Sequence, residues 1–87
     1  MEIKYYKKFI KNFRKRIEPY PNLLTQFDER IKEFSLDPSN PVLRDHPLKG
    51  EKADFRAFSI TGDIRVIYSK GEDYIYFIDV GTHNQVY

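Results

Sequence analysis

Eighty-seven residues with 15 Lys plus Arg against 13 Asp plus Glu, a net charge of +2, fit one domain over residues 1–87 and leave no room for a second. Seven Phe, seven Tyr and a hydrophobic fraction of 40% supply a core and argue against intrinsic disorder. The absence of cysteine excludes disulfide staples and thiolate metal cages, no apolar run approaches the ~20 residues of a membrane span, and the opening residues are too charged for a signal peptide, so a reducing, cytoplasmic setting without a membrane partner is expected.

In Met1 to Tyr5, Ile3 and Tyr5 alternate with Glu2 and Lys4, the period of a short first strand. The period then changes: Phe9, Ile10, Phe13 and Ile17 fall on one helical stripe, predicting a helix from about Lys7 to Ile17 that ends at Pro19 and Pro21. Residues 1–16 carry seven basic residues (Lys4, Lys7, Lys8, Lys11, Arg14, Lys15 and Arg16) against Glu2 alone, a net +6, while residues 17–54 and 55–87 are net negative. That end suits a polyanion or an acidic partner, or else forms a solvated helix face. Asn22 is a candidate cap for a second helix, Leu23 to Phe34, with Leu23, Leu24, Phe27, Ile31 and Phe34 on one side and Asp37-Pro38 as its stop.

Ser39 to Asp54 has neither period and contains Pro41, Pro47 and Gly50, the marks of a long loop that Val42, Leu43 and Leu48 pack down. Three strands follow, Phe55 to Ile60, Ile64 to Ser69 and Tyr74 to Val80, joined by turns at Thr61-Gly62 and Lys70 to Asp73. Strand parity puts Phe58, Ile60, Ile64, Val66 and Tyr68 under the helices and leaves Ala57, Ser59, Asp63, Arg65 and Ile67 toward the other face. The resulting order is β-α-α-β-β-β, an α+β domain with both helices on one face of an antiparallel sheet.

His46 in the loop and His83 beyond the last strand are the only imidazoles available for acid–base work near neutrality, although a lone histidine in a loop is more often an exposed or capping residue than a catalyst. Two separated histidines are too few for a zinc site, and no phosphate-binding loop, HExxH or nucleophile elbow is present.

The segments RDHPLKGE (Arg44 to Glu51), DFRAFSITGDIRVIY (Asp54 to Tyr68) and GTHNQVY (Gly81 to Tyr87), in this order and spacing, resemble RelE-superfamily toxins of the YafQ type over essentially the whole chain. The resemblance implies a RelE-like microbial RNase fold and a ribosome-dependent mRNA endonuclease that acts in the ribosomal A site without a metal or other cofactor. It also implies neutralisation by a cognate antitoxin protein, with operator DNA reached only through that antitoxin. In such enzymes the RNA 2′-hydroxyl attacks the adjacent phosphodiester, so the protein must remove that proton, protonate the 5′-oxygen and neutralise the added charge.

Matched residue by residue, the resemblance gives His46 as base, His83 as acid, and Asp63 as a group that holds an imidazole or else satisfies its own turn. Tyr87 takes the place of the C-terminal aromatic, to stack on a base, donate its hydroxyl or pack. Arg65 shares the face of Asp63 and is a candidate phosphate ligand, whereas Arg56 has the opposite parity and reads as structural. Lys7, Lys8, Lys11 and Arg14 are the expected contacts to ribosomal phosphates. Three positions depart from the family pattern: Ser59 replaces a histidine, Ala57 an aspartate and Asp79 an arginine, which keeps open a second reading as a weakly active or inert homologue that binds antitoxin, RNA or ribosome.

Overall fold

The apolar stripes and the alternating segments both become regular structure in the computed structural model, which describes residues 2–87; Met1, expected in the first strand, lies outside them. The chain runs β1 (Glu2–Tyr5), α1 (Lys7–Arg16), α2 (Pro21–Leu36), β2 (His46–Pro47), β3 (Arg56–Ser59), β4 (Ile64–Lys70), β5 (Tyr74–Thr82) and α3 (His83–Val86). Single 3-10 turns at Pro41–Leu43 and Gly50–Lys52 punctuate the segment before β3. The strands form one five-stranded sheet in the order β1-β5-β4-β3-β2. β1 lies parallel to β5, with Ile3 opposite Ile75 and Tyr5 opposite Phe77, and the remaining pairs are antiparallel.

α1 and α2 cover one face. Phe9 of α1, Ile17 directly after it, and Phe27 and Phe34 of α2 are buried against Phe58, Val66, Tyr68, Phe77 and Val80 of the sheet. Each such side chain contributes about 1.5–3 kcal/mol by leaving water. The ring of Phe34 stacks on Phe58 at 4.4 Å and meets Tyr68 edge-on at 5.2 Å, which places α2 over β3 and β4. Phe13 and Ile31 sit only at the margin of this core, and Ile10 is 38% exposed, so the α1 stripe is narrower than its sequence suggests. α2 begins one residue before the expected cap: Pro21 occupies its first turn and Tyr20 precedes it without a side-chain cap, because a proline there has no N–H to satisfy and a preset φ.

Three features go beyond the expected β-α-α-β-β-β order. The loop contributes the two-residue strand β2, paired with Ala57 and Arg56 of β3. β5 runs on to Thr82 and passes directly into α3. That four-residue helix covers the face expected to be free of helices, where Ala57, Ile67 and Val86 form a second cluster joined by Leu48, Phe55 and Ile78. Four residues are too few to display a helical period, which is why this element escapes pattern reading.

Candidate active site

A groove of about 460 Å³ opens between the β2 segment and α3, with His46, Lys49 and Lys52 on one wall and His83 and Tyr87 on the other. Pro47 and Leu48 give its lining an apolar part. Both histidines of the chain therefore meet one concavity.

The position of His46 follows from the residues before it. Leu43 is fully buried and ends a 3-10 turn, after which Arg44 adopts φ +50° in the left-handed region. A side chain other than glycine pays about 1–2 kcal/mol for that conformation. The turn brings the Arg44 carbonyl to 2.9 Å from Nδ1 of His46. A carbonyl only accepts, so Nδ1 is the donor here, and in the neutral ring Nε2 then holds the lone pair, the form a base requires.

His83 opens α3. Oε1 of Gln85 accepts from the Thr82 backbone N–H at 2.8 Å and fixes the first turn. Gly81 leaves room beside it: a Cβ there would stand 2.6 Å from Gln85 Oε1 and 2.7 Å from Nη1 of Arg16 and would push those side-chain ends aside. The two walls are tied together by Lys52, whose Nζ donates to the Val86 carbonyl at 3.0 Å.

The rings of His83 and Tyr87 meet edge to face, 4.3 Å apart at 87°. The Arg65 guanidinium lies 5.8 Å from the centre of the Tyr87 ring, so Arg65 reaches the site through that aromatic. Burial raises the Tyr87 phenol above its ordinary range, while Arg65 pulls the other way, and the hydroxyl remains a donor at neutral pH.

Asp63 stands apart. It is exposed on the turn between β3 and β4 and does not line the groove. The N–H groups of Asp63 and Ile64 are satisfied by Oγ1 of Thr61, at 3.1 and 3.0 Å, so its carboxylate neither caps its own turn nor orients an imidazole; the Arg44 carbonyl does the orienting. Lys7, Lys8, Lys11 and Arg14 are exposed on α1, across the sheet from α3, and none lines the groove. The groove's own cations are Lys49 and Lys52, which the net negative charge of residues 17–54 concealed; the signal for them was their position directly after the DHPL segment.

The family described as bacterial toxin of type II toxin-antitoxin system, YafQ, matches residues 1–87. The chain belongs to the YafQ family of toxins. No curated protein matches it in sequence. Among solved structures it is similar to YafQ from E. coli strain BL21(DE3), with a TM-score of 0.79 and 19% identity over 99% of this chain and 97% of that one. A copper-bound mutant toxin from Helicobacter pylori gives a TM-score of 0.78 and 26% identity over 100% and 99% of the two chains. The YoeB/ParE toxin from Agrobacterium tumefaciens gives 0.77 and 18% over 95% and 99%.

Within this YafQ-family chain two of the three departures, Ala57 and Asp79, have local explanations. Ala57 is fully buried under α3 beside Ile67 and Val86, a place where a carboxylate would be stranded. Ser59 is half-buried on β3 opposite Arg65. At Ile67 the pairing of β4 with β5 shifts register, and Asp79 meets α1, accepting from Asn12 Nδ2 at 2.7 Å with Lys8 and Arg16 at 3.4 and 3.6 Å. Asp79 serves packing on the far side of the sheet and leaves the groove's charge unaltered. Among the described residues no cluster of three or more His, Asp or Glu is arranged to hold a metal ion, and no helix is long and apolar enough to cross a membrane.

Proposed function

We propose that this toxin is a ribosome-dependent endoribonuclease that cleaves translated mRNA in the A site, held in check by a cognate antitoxin. The observation that carries the reading is the shared groove, which His46 and His83 both line together with Tyr87 and two lysines. His46 Nε2 takes the proton from the RNA 2′-hydroxyl, whose oxygen attacks the adjacent phosphorus. His83, entering as imidazolium, gives its proton to the departing 5′-oxygen. Lys49, Lys52 and Arg65 offset the charge gathering on the phosphorane, and Tyr87 stacks on a base or donates its hydroxyl. The products are a 2′,3′-cyclic phosphate and a 5′-hydroxyl, with no step that calls for a metal or cofactor.

The exposed Lys7, Lys11 and Arg14 of α1, with Lys8 still 67% exposed beside Asp79, are suited to ribosomal phosphates away from the cleavage groove. The E. coli DinJ–YafQ complex supports an antitoxin as the second partner, through which operator DNA would be reached. The test is induced expression in a bacterial host with and without the adjacent antitoxin gene. Growth arrest with cleaved translated messages, relieved by the antitoxin, supports the reading; normal growth and intact messages would leave a binding module in its place.

A further inference from the structure

The aspartate between Arg44 and His46 is nearly buried, its side chain 8% exposed, yet it belongs to a segment otherwise at the surface. Its Oδ1 accepts a hydrogen bond from Nε of Arg56 at 2.7 Å, and Nη2 of the same guanidinium pairs with it at the same distance. Its Oδ2 accepts the hydroxyl of Tyr68. Arg56 lies opposite Pro47 in β2 and opposite Tyr68 in β4, so one carboxylate joins the His46 segment to two successive strands. Tyr68 is itself set by the core, with its ring 5.2 Å from Phe34 and 5.8 Å from Phe58. Burial and the Asp45 carboxylate push its phenol well above the ordinary range, so it remains a hydrogen-bond donor.

A charge-assisted guanidinium hydrogen bond on one carboxylate oxygen, completed by a buried phenol on the other, has a fixed direction that a solvated surface ion pair lacks. The space behind Asp45 is a cavity of about 410 Å³ bounded by Arg44, Arg56, Tyr68 and Phe34, so these bonds, rather than close packing from that side, determine where the carboxylate sits. His46 is exposed, and the hydrogen bond to the left-handed Arg44 is what sets its ring.

We propose that Asp45 is a positioning residue for RNA cleavage: by clamping the Arg44 to His46 segment onto Arg56 and Tyr68, it presents the Arg44 carbonyl to His46 Nδ1 and keeps Nε2 unprotonated as the base. The proposal rests on the reading of His46 as that base. Loss of the clamp releases the backbone turn and lets the imidazole adopt the Nε2-protonated tautomer, which cannot take the 2′-hydroxyl proton.

The test pairs a spectroscopic readout with a kinetic one. The ring nitrogens of His46 are followed by NMR, at a pH where the imidazole is neutral, in the full chain and in its Asp45→Asn and Tyr68→Phe variants, and cleavage on programmed ribosomes is measured for the same proteins. The wild type should show the Nδ1-protonated form, and both variants should move toward the Nε2-protonated form and lose about 10–100-fold in cleavage rate. Asp45→Asn added to His46→Ala should cost nothing further. An unchanged tautomer in both variants, or an equal loss with and without His46, overturns the proposal. Should Asp45→Asn fail to fold, Tyr68→Phe, which removes a single hydroxyl, decides the question. A wild-type chain that cleaves no message overturns the endonuclease reading and the catalytic part of this one, while the ring nitrogens still decide whether the clamp sets the tautomer.

Discussion

Asn12 and Asp79, 67 positions apart in the chain, form a buried hydrogen bond of 2.7 Å that fastens α1 to β5. Asp79 also accepts from the backbone N–H of Val80 at 2.8 Å, and Arg16 of α1 donates to the Val80 carbonyl at 2.9 Å. The polar seam lies on the helix side of the sheet, so an acidic residue at this position leaves the groove between β2 and α3 intact. Replacing Asp79 by Ala strands the Asn12 amide and should destabilise the fold by about 1–3 kcal/mol, read as a lower denaturant midpoint. A variant as stable as wild type would show the seam to be incidental.

The core makes a sharper distinction than the helix stripe alone. Phe34→Ala removes a ring that is 1% exposed and touches Phe58, Tyr68 and Phe77, and should cost about 3–5 kcal/mol. Phe13→Ala, at the half-buried margin, should cost clearly less. Equal losses in urea unfolding would contradict the burial order.

Gly81→Ala tests how His83 is held. A methyl group there displaces the Gln85 amide that caps α3 and the end of Arg16, so the cap should be lost at about 1 kcal/mol of stability. Message cleavage should fall with it, because the first turn of α3 carries His83. Retained cleavage at full rate would mean that the cap does not position the imidazole.

Two tyrosines predict a loss of stability in alkali. The phenols of Tyr68 and Tyr87 are both raised above their ordinary value of 10.0, chiefly by burial, so the folded state retains protons that the unfolded chain releases. Their contribution is complete below about pH 10 and declines as the pH rises above it. Thermal unfolding of the wild type should therefore shift downward on the alkaline side, and Tyr68→Phe should flatten that slope. An unaltered slope in the variant would remove Tyr68 from the account.

The two groups of cations should separate by their salt response. Substituting Lys7, Lys11 or Arg14 is expected to weaken ribosome association and to lower the slope of log affinity against log salt by about 1 per charge, with cleavage chemistry retained. Substituting Lys49 should instead reduce the cleavage rate on ribosome-bound toxin. Reversal of the two patterns would exchange their roles.

Much of this was legible in the residues. The strand parity of Phe58, Val66 and Tyr68 against Ala57 and Ile67 divides the two cores as observed, because side chains in a strand alternate strictly. The helical spacing of Phe9, Ile17, Phe27 and Phe34 marks the covered face for the same kind of reason. What pattern could not supply was short or non-local: β2 and α3 are too brief to show a period, and the parallel placement of β1 beside β5 depends on contacts between the two ends of the sequence. The tautomer of His46 rests on a backbone carbonyl, which no side-chain motif encodes, and the clamp on Asp45 joins residues 11 and 23 positions away. Asp63 shares its strand parity with Arg65, but the turn directs it to solvent.

The most direct measurement is cleavage of a defined message on programmed ribosomes by the purified chain, with 5′ and 3′ ends mapped for the wild type, His46→Ala and His83→Ala. The account predicts A-site cuts ending in a 2′,3′-cyclic phosphate for the wild type, and a fall of about 10²–10⁴-fold in each variant with the fold intact. Cuts at wild-type rate in both variants, or no cuts by the wild type on ribosomes that it demonstrably binds, would contradict it.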